Sequence, residues 1–187
     1  MRVVISQPMF FPWNGMFEQI RLTASNVHFD DVQYTSRSFV SRVQVKTAGG
    51  IKWLTVPVRH ASRDQAIRHT EIDGSRDWRK QHLSLLAQSY ARAPCRKEML
   101  ELVETVYAGD WRTIDELNRA GLAAVCGYFG LDRDRRFLCA SDFAVETRKS
   151  ERVLELVKKV GGDCYVTGHG ARNYLDHARF ENDGIRV

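Results

Sequence analysis

Apolar and polar positions change period several times along this chain, and each change predicts an element. Val3-Val4-Ile5 is a short apolar run that reads as a strand. Ser6–Gly15 packs Pro8, Phe10, Phe11, Pro12 and Trp13 into one turn, and Met16, Phe17, Ile20 and Leu22 then take up helical spacing. Asn26–Asp30 reads as a second strand ending in the pair Asp30-Asp31. In Phe39–Lys46, Phe39, Ser41, Val43 and Val45 alternate with Val40, Arg42, Gln44 and Lys46, the period of a strand with one polar face. Gly49-Gly50 marks a turn, and Lys52–Val58 reads as a strand whose end Pro57 places at an edge or exit.

From Asp77 to about Phe129 the spacing becomes helical. Trp78, His82, Leu85 and Leu86 mark one helix, broken at Pro94. Met99, Leu102, Val103 and Val106 mark a second; Ile114, Leu117, Leu122, Val125 and Phe129 a third, stopped by Gly130. Phe137-Leu138-Cys139 reads as a strand, and Val153, Leu154 and Val157 as a helix ending at Gly161-Gly162. Cys164–Thr167 and Gly184–Val187 read as further strands. Strands alternating with helices predict an α/β class, mainly parallel, with a Rossmann-like three-layer sheet. Val3–Ser6, Val27–Asp30, Lys52–Val58 and Cys164–Thr167 are expected in one sheet. Residues 77–130 are expected as a helical insertion or subdomain of one domain spanning 1–187.

The chain has 187 residues, 43% hydrophobic and 27% charged, an ordinary globular composition. No apolar run approaches the ~20 residues of a membrane span. Arg2-Val3-Val4-Ile5-Ser6 leads directly into the fold, so no secretory signal is expected and a cytoplasmic location is. Cys95, Cys126, Cys139 and Cys164 lie far apart with no C-x-x-C pair, which argues against zinc and for free thiols; no metal site is expected. The net charge of +5 and a sequence pI of about 9.2 favour an anionic partner: a nucleotide, a sugar phosphate or RNA.

Two strand-exit turns, Gln7–Gly15 and Thr167–Asn173, carry the candidate chemistry. In a parallel sheet such turns lie on one edge and converge on a crevice. Gln7 offers an amide there and Trp13 a flat wall, with burial under a loop as the alternative for the aromatics. Gly168 and Gly170 let backbone approach a ligand, and Ala171–Leu175 is expected to open a helix with Arg172 and Asn173 near its positive end. The alternative is a tight strand–helix connection. His169 is the candidate proton-transfer group, against a solvent-facing inert histidine. Asp30-Asp31 at a strand end reads as a metal-coordinating or general-base pair; adjacent residues point to opposite sides of a strand, so Asp31 is read as the one facing the crevice, a candidate base, with Asp30 as a turn cap. Arg37, Arg42 and Lys46 surround the following strand and suit a phosphate or carboxylate, or else form a solvated basic edge. His82 reads as a satisfied core histidine or as a ligand-orienting donor. Gln7, Trp13, Asp31, Arg42, His169 and Arg172 are expected to line one concavity.

Ile5-Ser6-Gln7-Pro8, Pro12-Trp13-x-Gly15-x-Phe17, Asp30-Asp31-Val32-Gln33-Tyr34 and Arg37-Ser38-Phe39 resemble the WbqC-like protein family. Trp53–Val58, Trp78–His82, Tyr90-x-x-Ala93-Pro94 and the Tyr165-to-Leu175 segment continue the resemblance through nearly the whole chain. Gln81 and Cys95 depart from the family's pattern, and a further C-terminal segment of the family is not expected here. The resemblance implies transfer of an amino acid, glycine first, to a sugar in O-antigen or other surface polysaccharide synthesis. It implies an anionic sugar nucleotide and an amino acid as small-molecule partners, and either ATP with Mg²⁺ or an aminoacyl-tRNA to activate the acyl group. The alternative is a non-catalytic sugar-nucleotide-binding protein of a glycan assembly. The strand–turn–helix start is also similar to nucleotidylyltransferase-like domains such as pantothenate synthetase, although Trp13 and Met16 stand where those enzymes carry histidines.

Overall fold

The computed structural model describes residues 1–59, 62, 64–171 and 173–187. In chain order the first elements are β1 (Arg2–Ser6), α1 (Asn14–Leu22), β2 (Ser25–His28), β3 (Arg42–Thr47), β4 (Gly50–Thr55), β5 (Val58–Arg59) and β6 (Glu71–Ile72). Then come α2 (Trp78–Ser89), α3 (Arg96–Tyr107), α4 (Ile114–Tyr128), β7 (Arg136–Cys139), α5 (Lys149–Lys159), β8 (Cys164–Val166) and α6 (His177–Asn182). The chain divides into two compact units: residues 1–7, 13–31 and 130–187, and residues 8–12 and 32–129.

The first unit holds a parallel four-stranded sheet in the order β7-β2-β1-β8, flanked by helices as in Rossmann-like folds. The apolar run of β1 is buried on both faces, as a parallel strand between helices must be. Val3 and Ile5 join a cluster with Val153, Leu154, Leu156 and Val157 of α5. Val4, one residue out of phase, points the other way, and α1 buries Met16 and Ile20. α5 ends as expected: Gly161 adopts φ +79°, and the Gly162 N–H bonds the Val157 carbonyl at 2.8 Å. A Cβ on Gly162 would come within 2.6 Å of Val3 Cγ2, so the helix end approaches the strand closely only because the side chain is missing.

The second unit packs three helices with the antiparallel hairpin β3–β4 and the short pair β5–β6. Its core includes Phe10, Tyr34, Val45, Leu54, Ile67, Trp78, Val106 and Leu117. The Asp77 side chain accepts from the Lys80 N–H to start α2, and Thr113 and Glu116 form a capping box at α4. Buried Asn118 in α4 donates to the carbonyls of Pro8 at 3.1 Å and Val40 at 2.8 Å, tying residues 8–12 into this unit.

Three expectations are corrected. Lys52–Val58 does not enter the parallel sheet: β4 pairs with β3, Val43 opposite Leu54, because a local hairpin closes a far shorter loop. The parallel sheet takes Arg136–Cys139 instead. Phe39–Ser41 forms a turn, its Ser41 N–H on the Ser38 carbonyl, so the strand starts only at Arg42. Ala171 and Asn173–Leu175, expected to open a helix, lie in no α-helix. A 3-10 turn covers His169–Ala171, and the α-helix begins at His177, where Asp176 supplies a cap to the Arg179 N–H. Gly184–Val187 meets β8 through one parallel bridge, Cys164 to Arg186. Among the described residues no helix is long and apolar enough to cross a membrane.

Candidate functional site

Within the first unit, β1 and β8 are parallel neighbours, Val4 opposite Val166. The chain runs from β1 to β2 on one side and returns to β8 on the other, so the strand order reverses between β1 and β8. Ligands of open α/β sheets bind outside the carboxyl ends of the strands at such a reversal. Gln7 leaves β1 and Thr167-Gly168 leaves β8 on this edge. Gln7, Gly168, His169, Gly170 and Asn173 are all exposed. The Gln19 side-chain amide of α1 reaches to 3.4 Å of where a Gly168 Cβ would stand. Trp13, 63% exposed, precedes α1 and lies across Gly15, whose Cβ would meet the indole at 1.9 Å. Arg172 lies outside the described residues.

At the exit of β2 the two carboxylates differ. Asp30 is buried and accepts from the Ser141 N–H at 3.1 Å and its hydroxyl at 2.7 Å, which joins the ends of β2 and β7. Asp31 accepts from Arg152 Nη2 at 2.5 Å, and the guanidinium carbon of Arg152 stands 5.2 Å from the Phe29 ring. Among the described residues, Asp31 Oδ1 and Arg152 Nε are buried without a partner. Arg152 carries no signal in the sequence, because its partner is 121 residues away.

Arg37, Arg42, Lys46 and His82 belong to the second unit. On β3, Arg42, Gln44 and Lys46 share one face; opposite them on β4 stand Thr55, Trp53 and Ile51. The other face of the hairpin sends Val45 and Leu54 into the core. The Arg42 guanidinium lies over the Trp53 ring, 4.0 Å from its centroid, and the Phe39 ring stands 5.8 Å from Trp53. Arg42 Nε is buried without a partner, and among the described residues no carboxylate pairs with Arg37, Arg42, Lys46 or Lys52. Residues 32–63 contain no aspartate or glutamate. That acid-free run is the signal that would have added Phe39 and Trp53 to the candidate residues. Arg37 adopts φ +59° and is exposed.

His82 is 6% exposed, packed edge-on to Trp78 at 5.2 Å between centroids, with Nδ1 2.9 Å from the Tyr107 hydroxyl. Burial pushes its pKa down to about 4, against a hydrogen bond to the Thr55 backbone that favours the charged ring. The same burial raises the Tyr107 hydroxyl far above its ordinary value. The imidazole is therefore neutral near pH 7 and enclosed in the core of its unit.

A family model described as the WbqC-like protein family matches residues 7–187. The uncharacterized protein Rv1507c of Mycobacterium tuberculosis is 35% identical over 188 residues, covering all of this chain and 80% of its own. No solved structure matches the chain.

Proposed function

This chain belongs to the WbqC-like protein family, and we propose that it transfers an aminoacyl group, glycyl first, to the amine of a sugar nucleotide in surface glycan synthesis. The observation that carries this reading is the pair of exposed turns, Gln7 and Gly168–Gly170, on neighbouring strand ends at the reversal of the parallel sheet. Acyl transfer to an amine needs donors for an oxyanion and a group to take a proton. The Gln7 amide and the N–H groups of the glycine turn supply the first. His169, exposed in that turn, supplies the second; Asp31 spends one oxygen on Arg152. The sugar amine attacks the acyl carbonyl of an ester donor. The N–C bond forms, the ester C–O bond breaks, and the amine proton passes through His169 to the leaving oxygen. Trp13 offers a flat wall before α1, and Asn173 follows the glycine turn; in the second unit, Arg37, Arg42 and Lys46 offer cations to a phosphate.

The exit of β2 offers a nucleotide-bound magnesium ion no open carboxylate, and an activated ester, such as an aminoacyl-tRNA, is taken as the donor. A magnesium ion bound with nucleotide needs one or two accessible carboxylates. Asp30 is taken up by Ser141, and the oxygen of Asp31 that lacks a partner is buried. Purified protein incubated with an amino-sugar nucleotide and glycyl-tRNA, or with glycine and ATP, tests the reading by mass spectrometry. A gain of one glycyl group with the charged tRNA is expected. Binding of the sugar nucleotide with no mass gain under either condition would select the second reading, a non-catalytic binding protein. That reading is favoured by the unpaired cations of the hairpin face.

A further inference from the structure

We infer that the outer face of the β3–β4 hairpin is a nucleoside diphosphate site, with Arg42 holding phosphate and Phe39 and Trp53 stacking the base. The inference rests on the reading of the ligand as a sugar nucleotide and concerns the second unit alone. Arginine is an expensive side chain to immobilise, since its rotamer freedom is lost on binding. Here the guanidinium is already held over the indole of Trp53, its central carbon 4.0 Å from the ring centroid. Its Nε is buried and, among the described residues, no side chain or carbonyl accepts from it, so the arginine is held without being consumed. With Nε buried, the two Nη groups are the ones left to meet a phosphate, and a guanidinium can do so through two parallel bonds.

The rest of the face fits the same ligand. Phe39 is 56% exposed and Trp53 38% exposed, with ring centroids 5.8 Å apart and planes at 48°. An exposed aromatic pair beside a fixed cation offers a base a stacking surface and its phosphates an anchor. Lys46 shares the strand face with Arg42, and its cross-strand neighbour Ile51 is 69% exposed. Two phosphates have two cations, and no carboxylate in residues 32–63 opposes them. The basic edge of a hairpin that only deters strand pairing requires no aromatic pair and no stacked guanidinium.

Titration calorimetry of the whole protein at low salt with ADP, UDP, adenosine and inorganic pyrophosphate tests the inference. ADP and UDP should bind at least tenfold more tightly than pyrophosphate, and adenosine more weakly than ADP. Phe39→Ala should bring the nucleotides down towards pyrophosphate while leaving pyrophosphate unchanged. Arg42→Gln should weaken nucleotides and pyrophosphate together. Equal binding of ADP and pyrophosphate by the wild type, or no effect of Phe39→Ala, would overturn it. So would tighter binding of an RNA 3′ end than of either nucleotide. Glycyl transfer is read separately. Transfer without nucleotide preference removes this site and leaves the proposed function standing. Nucleotide preference without transfer does the reverse.

Discussion

His82 Nδ1 lies 2.9 Å from the hydroxyl of Tyr107, with Trp78 against the imidazole. The histidine's pKa falls from 6.5 to about 4 on folding. Between those values the unfolded chain binds a proton that the folded chain refuses, so stability rises with pH there. The contribution is complete above pH 6.5 and is lost as pH falls towards 4. It is on the order of 3 kcal/mol, from about 1.4 kcal/mol per pKa unit. Urea midpoints from pH 4.5 to 7.5 should show this loss, and His82→Gln should flatten the slope. An NMR titration placing the His82 ring above pH 6 would defeat the prediction without any variant.

Asn118 predicts a second effect. Its amide serves the buried carbonyls of Pro8 and Val40. Asn118→Ala strands both acceptors and should cost about 2–4 kcal/mol, from about 1–3 kcal/mol per unsatisfied buried group. Denaturant unfolding measures it. A loss under 1 kcal/mol would mean that water replaces the amide.

The Asp31–Arg152 pair should behave as a unit. Both side chains are mostly buried, at 15% and 18% exposure. Arg152→Met leaves the carboxylate uncompensated and should destabilise by about 2–4 kcal/mol, somewhat below the fully buried range. Adding Asp31→Asn should recover part of that loss. Strictly additive costs in the double-mutant cycle would show that the two do not interact.

Glycines 15 and 162 should differ in their response to a methyl group. Gly162→Ala drives a methyl into Val3 and should lower stability by about 1–3 kcal/mol. Gly15→Ala meets only the exposed Trp13 ring, which can swing away. It should leave the melting temperature nearly unchanged and alter Trp13 fluorescence. A large loss of stability there would place the indole in the fold rather than over it.

His169→Ala tests the chemistry. General-base loss should lower kcat by roughly 10²–10⁴ with KM for the sugar nucleotide little changed. A variant as active as the wild type would remove His169 from the mechanism.

Local chemistry decided much of this protein. The strand period of Val3–Ile5, the helical spacing from Trp78 to Phe129 and the stop at Gly161-Gly162 are set by residues within one turn or strand, so they are legible in one dimension. Gln7 at the end of β1 and the glycines at 168 and 170 marked two exposed strand exits for the same reason. Strand partnership was not legible. Lys52–Val58 and Phe137–Cys139 are both apolar strand runs, and only the assembled sheet shows that the second lies beside β2 while the first folds back on β3. Nor was it legible that Arg152 would meet Asp31, or that Arg42 would lie on Trp53. Those contacts join residues whose spacing carries no period, and they exist only once burial has brought distant segments together.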